Sequence, residues 1–207
     1  MRRAAVGLRA HSGWAVAVTM GGEATAPVLL DRRRLALADD ATPRPVQPYH
    51  ASEGLPLAVA ERIVGHAIEE ARRFGERDLR ALAGDLLSLG HEVDRCTVLS
   101  GSGRTFPALE RVLASHALIH AAEGEMFREA LRHAGRRAGL SVLEVKEKDL
   151  SLTAIEVLGI PETKLKHRLG ALGRAAGPPW AADQKLAALA AWVALASGNK
   201  RGLPGHP

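Results

Sequence analysis

His116, His120 and Glu123 are spaced to share one helical face: at about 100° per residue they fall within an arc of roughly 60°. Leu109, Val112, Phe127 and Leu131 continue that face on either side, so the periodicity predicts that all three point inward. Burying an ionisable group costs on the order of several kcal/mol unless it is paired or metal-bound, so something must compensate them. Two imidazoles and a carboxylate form a ligand set for Zn or Fe. The same groups can instead form a buried network, bonded to backbone, to one another, or to Arg9 and Asp183 from neighbouring elements. Both readings assume an unbroken helix; if Ser115 is an N-cap, His116 falls in the first turn and the stripe starts later.

Other segments offer weaker chemistry. Ser100-Gly-Ser102-Gly-Arg104-Thr105 lies between a strand and a helix and can present backbone N–H groups and Arg104 to a phosphate, though without the lysine and spacing of a P-loop. It reads equally as a flexible turn. Pro48-Tyr49-His50 sits in a long loop, where the hydroxyl and imidazole can touch a substrate or Tyr49 can pack on the core. Gly177-Pro-Pro-Trp180 is a rigid entry to the last helix. Asp183 in that helix's first turn complements its dipole, whereas Lys185 is disfavoured there and suits an anion or a salt bridge. Glu125 lies about 200° from Glu123 and reads as a surface charge or as part of a second cluster.

Composition bounds these options. The chain has 207 residues, 46% of them apolar, enough for one domain with a good core. No apolar run approaches the roughly 20 residues of a membrane span, and the stretch after Met1-Arg-Arg turns polar at Arg9 and His11, too early for a signal peptide. The expected location is the cytoplasm. Cys96 is the single cysteine, in a strand-like Arg-Cys-Thr-Val-Leu, and reads as a core residue. A net charge of +5 and a pI near 9.9 permit a polyanionic partner. Three Trp, three Phe and one Tyr are too few for a base-stacking platform.

Alternating and apolar runs predict strands over 4–10, 13–20 and 27–37, a meander followed by a proline-rich loop over 42–50. Helices are expected over 56–73 and 77–89, interrupted at Gly75, then a strand over 94–99 and a long helical region from Pro107 to Gly139. A fifth strand over 141–145 precedes helices over 149–158, 162–173 and 181–196.

This order resembles the ribonuclease H-like fold, which includes Holliday-junction resolvases, over about residues 4–197. The resemblance implies an α/β domain over 1–198, with a mixed five-stranded sheet flanked by helices; the polar, Gly/Pro-rich stretch over 199–207 reads as a disordered tail. Stretches such as Gln47-Pro-Tyr-His50, Ser115–Glu125 and Gly177–Lys185 also resemble a family of bacterial hypothetical proteins that carries no assigned activity. Nucleases of the ribonuclease H-like superfamily place an acid on the first strand, another at the end of the fourth and more on the last helix, together holding two divalent metals. Here Arg9 stands where the first acid belongs, Val98-Leu-Ser-Gly-Ser102 ends the fourth strand without an acid, and Asp183 alone agrees. Two hard cations need several converging oxygen ligands, and Arg9 puts a permanent positive charge in their place.

The expectation is one cleft holding Arg9, Ser12, His116, His120, Glu123, Asp183 and Lys185, with Trp14, Ser102 and Arg104 also available to a ligand. Two readings follow. In one, a non-catalytic or divergent domain binds an anionic ligand, nucleic acid or a protein partner in that cleft. In the other, a metal-dependent hydrolase or phosphotransferase holds Mg²⁺, Mn²⁺ or Zn²⁺ on ligands drawn from His116, His120, Glu123 and Asp183. There His120 would act as general base and Arg9 or Lys185 would grip phosphate.

Overall fold

The structure, a computed structural model, describes residues 1–39, 46–101 and 103–198. Ser102 and the tail over 199–207 therefore lie outside the described residues. Three antiparallel strands, β1 (Arg2–His11), β2 (Trp14–Glu23) and β3 (Ala26–Ala36), form the predicted meander. β4 (His91–Ser100) and β5 (Ser141–Lys146) add in parallel on the other side of β1, giving the order β3-β2-β1-β4-β5. This is the mixed sheet of a ribonuclease H-like fold. Among the described residues, no helix is long and apolar enough to cross a membrane.

Strand alternation divides the core. Ala4, Val6 and Leu8 of β1 face α2 (Leu57–Ser88) and α4 (His116–Arg137), packing with Leu79, Leu82, Phe127 and Leu131. Ala5 faces the opposite layer, α5 (Leu150–Leu158), α6 (Glu162–Ala176) and α7 (Ala182–Ser197), with Leu150, Leu165 and Trp192. Helix α7 is buried continuously from Ala187 to Ala196, as an alanine-rich helix apolar on all sides should be. Cys96 is fully buried, and burial pushes its thiol up to about 12, so it is a core residue as its strand predicts.

Two glycines set how closely helices approach. A Cβ on Gly7 would lie 1.9 Å from the Ala187 carbonyl oxygen and 2.6 Å from the Ala191 nitrogen, so α7 rests directly on the β1 backbone. Gly75 does not break a helix as expected; α2 runs uninterrupted through it. Its missing side chain instead admits Leu37 and Ala134, whose carbons would sit 3.1 and 3.4 Å from a Cβ there. Close packing outweighs the modest helix penalty of one glycine.

The predicted long helix from Pro107 is two pieces, α3 (Leu109–Leu113) and α4, separated at Ala114–Ser115. Leu109 and Val112 therefore do not set the phase of α4. Its buried face is Ile119, Ala122, Glu123, Met126, Phe127, Ala130 and Leu131, which leaves His116 and His120 exposed and corrects the expectation that both point inward. A short helix, α1 (Pro48–Ala51), also forms inside the proline-rich segment.

Because α7 has no room to retreat from β1, Gly7→Ala is expected to cost about 3 kcal/mol, the upper range for overpacking. Urea denaturation checks this; a midpoint equal to that of the wild type would contradict the packing described.

Candidate functional sites on opposite faces of the sheet

Arg9 follows Gly7 by two residues on β1 and so emerges on the α7 side of the sheet. Its guanidinium donates to both oxygens of Glu147, Nε to Oε2 at 3.0 Å and Nη2 to Oε1 at 3.0 Å. Nη1 donates to Asp183 Oδ1 at 2.6 Å and meets His11 Nε2 at 3.0 Å. The planar fork thus ties the ends of β1 and β5 to the first turn of α7. Asp183 is delivered by a fixed approach. Arg32 donates to the carbonyl oxygens of Gly177, Pro178 and Pro179, Trp180 Nε1 donates to the Leu169 carbonyl at 2.9 Å, and Gln184 Oε1 accepts from the Ala181 N–H at 2.9 Å.

His11 stacks on Trp14 with ring centroids 4.2 Å apart and 8° between planes, and the Arg34 guanidinium lies 4.6 Å over the other aromatic system of that pair, the Trp14 ring. His11 Nε2 lies between Arg9 Nη1, which can only donate, and Asp183 Oδ2 at 3.2 Å, which can only accept, so a neutral ring satisfies one of the two through this nitrogen. Burial, outweighing the pull of Asp183, lowers the His11 pKa from its ordinary 6.5. Hydrogen bonding to Glu147 raises the already high pKa of Arg9.

Glu147 is the residue that sequence reasoning missed. The fourth strand does end without an acid, at Ser100, but the neighbouring parallel strand supplies one immediately beyond Lys146. Lys146-Glu147-Lys148-Asp149 following a short apolar run was the available signal. Two carboxylates therefore face Arg9: both Glu147 oxygens and Asp183 Oδ1 accept from it, and Asp183 Oδ2 lies 3.2 Å from His11 Nε2. A hard divalent ion would have to displace the guanidinium to reach them, so these residues do not fit the Mg²⁺ or Mn²⁺ pair that the fold resemblance implies.

The second cluster lies in the α2–α4 layer. Glu123 is buried and accepts from the His50 backbone N–H at 3.3 Å and from His50 Nδ1 at 3.0 Å. The Tyr49 N–H also contributes, and burial nevertheless raises the Glu123 pKa above its ordinary value. Gln47 makes no side-chain cap, so this carboxylate from α4 satisfies the first turn of α1 in its place. His116 Nε2 and His120 Nε2 are 3.1 Å apart, and the ligand-capable atoms of His50, His116 and His120 all lie within 4.8 Å of one another. His50 therefore completes a group that the sequence placed only on α4.

The sheet separates the two clusters. Asp183 belongs to the α7 layer and Glu123 to the α4 layer, so the structure does not bring them to one ion, and the single cleft expected from sequence is divided. Arg9, Trp14 and Asp183 come together. Ser12 is exposed in the β1–β2 turn, and Lys185 is exposed on the first turn of α7. Arg104 is exposed after β4 and shares a cavity of about 210 Å³ with His120 and Arg128. Glu125 joins a separate ion-pair cluster with Arg128 and the buried Arg132. Gly124 is explained by Arg128, whose Nη1 would lie 3.2 Å from a Cβ there.

Comparison with known structures defines the class: the chain has the ribonuclease H-like fold of Holliday-junction resolvases. Thermus thermophilus RuvC matches with a TM-score of 0.54 and 10% identity over 95% of each chain. The same protein in complex with Holliday junction substrate matches with a TM-score of 0.49 and 13% identity over 95% of each chain. No family model and no curated protein sequence matches the chain at a significant level.

The lowered His11 pKa has a definite sign. Well above pH 6.5 the ring is neutral in both folded and unfolded chains; as pH falls through 6.5 the unfolded chain takes up the proton first, so stability falls. His11→Gln is expected to lose less stability than the wild type between about pH 7 and about pH 5, read as urea midpoints across that range. Parallel profiles would contradict the assignment.

Proposed function

We propose that the chain is a non-cleaving ribonuclease H-like domain that binds nucleic acid across the carboxyl end of β1, β4 and β5. The observation that carries this reading is the Arg9 guanidinium bonded to both Glu147 and Asp183. One guanidinium pairs with both carboxylates, offsetting one of their two charges, and engages oxygen ligands that phosphodiester cleavage by two metals needs.

Exposed cations border that centre at the end of the sheet. Lys148 follows Glu147, Lys185 follows Asp183 and Arg34 lies on Trp14, while Lys146, in phase with Glu144, lies on the α4 side of the same strand end. None of the three lysines forms an ion pair among the described residues. Cations spaced along an edge suit a phosphate backbone, which is read through charge and geometry rather than base identity. The overall charge of +5 adds to the same attraction. Trp14 is already engaged by the stacked His11 ring and by the Arg34 guanidinium, so the contact is to backbone rather than to stacked bases.

Two experiments test this. Binding of a duplex or branched DNA oligomer should weaken steeply with salt, and a Lys146/Lys148/Lys185 triple alanine variant should reduce the log–log salt slope by about 1 per lysine removed. Unchanged affinity and slope would reject the surface. Separately, Arg9→Asp replaces the cation with a third carboxylate. That variant should gain a Mn²⁺-dependent rise in melting temperature, whereas the wild type should not. An equal Mn²⁺ response in the wild type would mean that Arg9 yields its place to metal.

A further inference from the structure

We infer that His50, His116 and His120 form a transition-metal site, of a type suited to Zn²⁺, with a coordination position left for an exogenous anion. The inference is independent of the nucleic-acid surface, because the site lies in the α2–α4 layer and shares no residue with it.

Four observations converge. First, His116 and His120, one turn apart on α4, turn Nε2 toward Nε2 at 3.1 Å. Two neutral imidazoles meet this way through one N–H···N hydrogen bond, whose proton an ion can replace, and two nitrogens on one tetrahedral Zn²⁺ at bonds of about 2.0–2.1 Å are separated by about 3.3 Å. Second, the third ring closes on the pair: the His50 centroid is 4.4 Å from that of His120 and 5.6 Å from that of His116. All three ligand-capable nitrogens lie within 4.8 Å of one another, a spacing that small ring rotations bring to coordination distance.

Third, His50 is prepared as a ligand. Its Nδ1 bonds to the Glu123 carboxylate at 3.0 Å, which places the proton on Nδ1 and the lone pair on Nε2. That Nε2 is buried and has no hydrogen-bond partner. A carboxylate–histidine pair of this kind fixes ring orientation and tautomer in metal sites, and Glu123 is the positioning residue here. An unpartnered buried imidazole nitrogen otherwise costs free energy for no return.

Fourth, the donor set is three nitrogens, which selects a first-row transition ion over Mg²⁺ or Ca²⁺. Structural zinc sites are closed by four protein ligands, while three leave a position open. His116 and His120 are exposed, and His120 borders a cavity of about 210 Å³ whose wall carries Arg104, Arg128 and Glu125, the last paired with Arg128. Arg104, with no ion pair among the described residues, stands beside the open metal position and suits a small oxyanion such as inorganic phosphate.

The test is Zn²⁺ competition against a chromophoric chelator on the metal-stripped full chain, followed by Co²⁺ as a spectroscopic replacement. The wild type should bind one equivalent. His116→Ala and His120→Ala, both at exposed positions and so expected to keep the wild-type urea midpoint, should each weaken binding by roughly 100-fold or more. Glu123→Gln should weaken it about 10–100-fold, and His167→Gln, a distant exposed histidine, should leave it unchanged. Co²⁺ should give the intense visible absorption of a four-coordinate site, and inorganic phosphate should shift it. A His116→Ala/His120→Ala double variant that binds Zn²⁺ as tightly as the wild type would overturn the site. A weak six-coordinate Co²⁺ spectrum, or one indifferent to phosphate, would overturn the open anion-binding position.

Discussion

The seat of α7 on β1 is the constraint from which the α7-side centre follows. Only a residue without a side chain at position 7 lets the Ala187 carbonyl come so close to the strand. That contact carries the first turn of α7 to the end of β1, where Asp183 meets Arg9. β5, hydrogen-bonded to β4, brings Glu147 to the same point from the other side. A cation with a planar fork then joins three elements that would otherwise oppose two carboxylates. A guanidinium occupies the position between them, bonded to both.

Strand parity assigns everything else. Residues of β1 two apart share a face, so Gly7, Arg9 and His11 look toward α7 while Val6 and Leu8 look toward α4. The two polar clusters are thereby insulated from each other by the sheet. One consists of charged groups that satisfy one another. The other is built from imidazoles around a buried carboxylate, with the His50 Nε2 and Glu123 Oε1 both left unpaired among the described residues. That difference in satisfaction separates a centre whose charged groups pair with one another from one with open lone pairs.

Much of the architecture was legible because period and punctuation agree: the Ser12-Gly13 hairpin, the apolar α7 and the order of elements along the chain followed from local signals, while the mixed sheet followed from the resemblance. The strange placement of Arg9 was legible too, since the resemblance supplied an expectation that it violates. What could not be read were facts of phase and of distance. The break at Ala114–Ser115 resets the helical phase, so the stripe through Leu109 and Val112 exposed rather than buried two histidines. Gly75 read as a helix break because a single chain does not reveal the neighbour that needs the space. Glu147 and His50 reach their clusters across 138 and 73 residues of sequence respectively, the first to Arg9 and the second to Glu123. Only the fold brings such pairs together.

A guanidinium, and not a metal, bridges Glu147 and Asp183. The most direct measurement is an anomalous difference map from crystals of the wild-type protein soaked in Mn²⁺. The account predicts no peak between Glu147 and Asp183, with Arg9 still bonded to both carboxylates. A Mn²⁺ peak at that position, with the Arg9 side chain turned away, would contradict it and restore a metal-dependent centre.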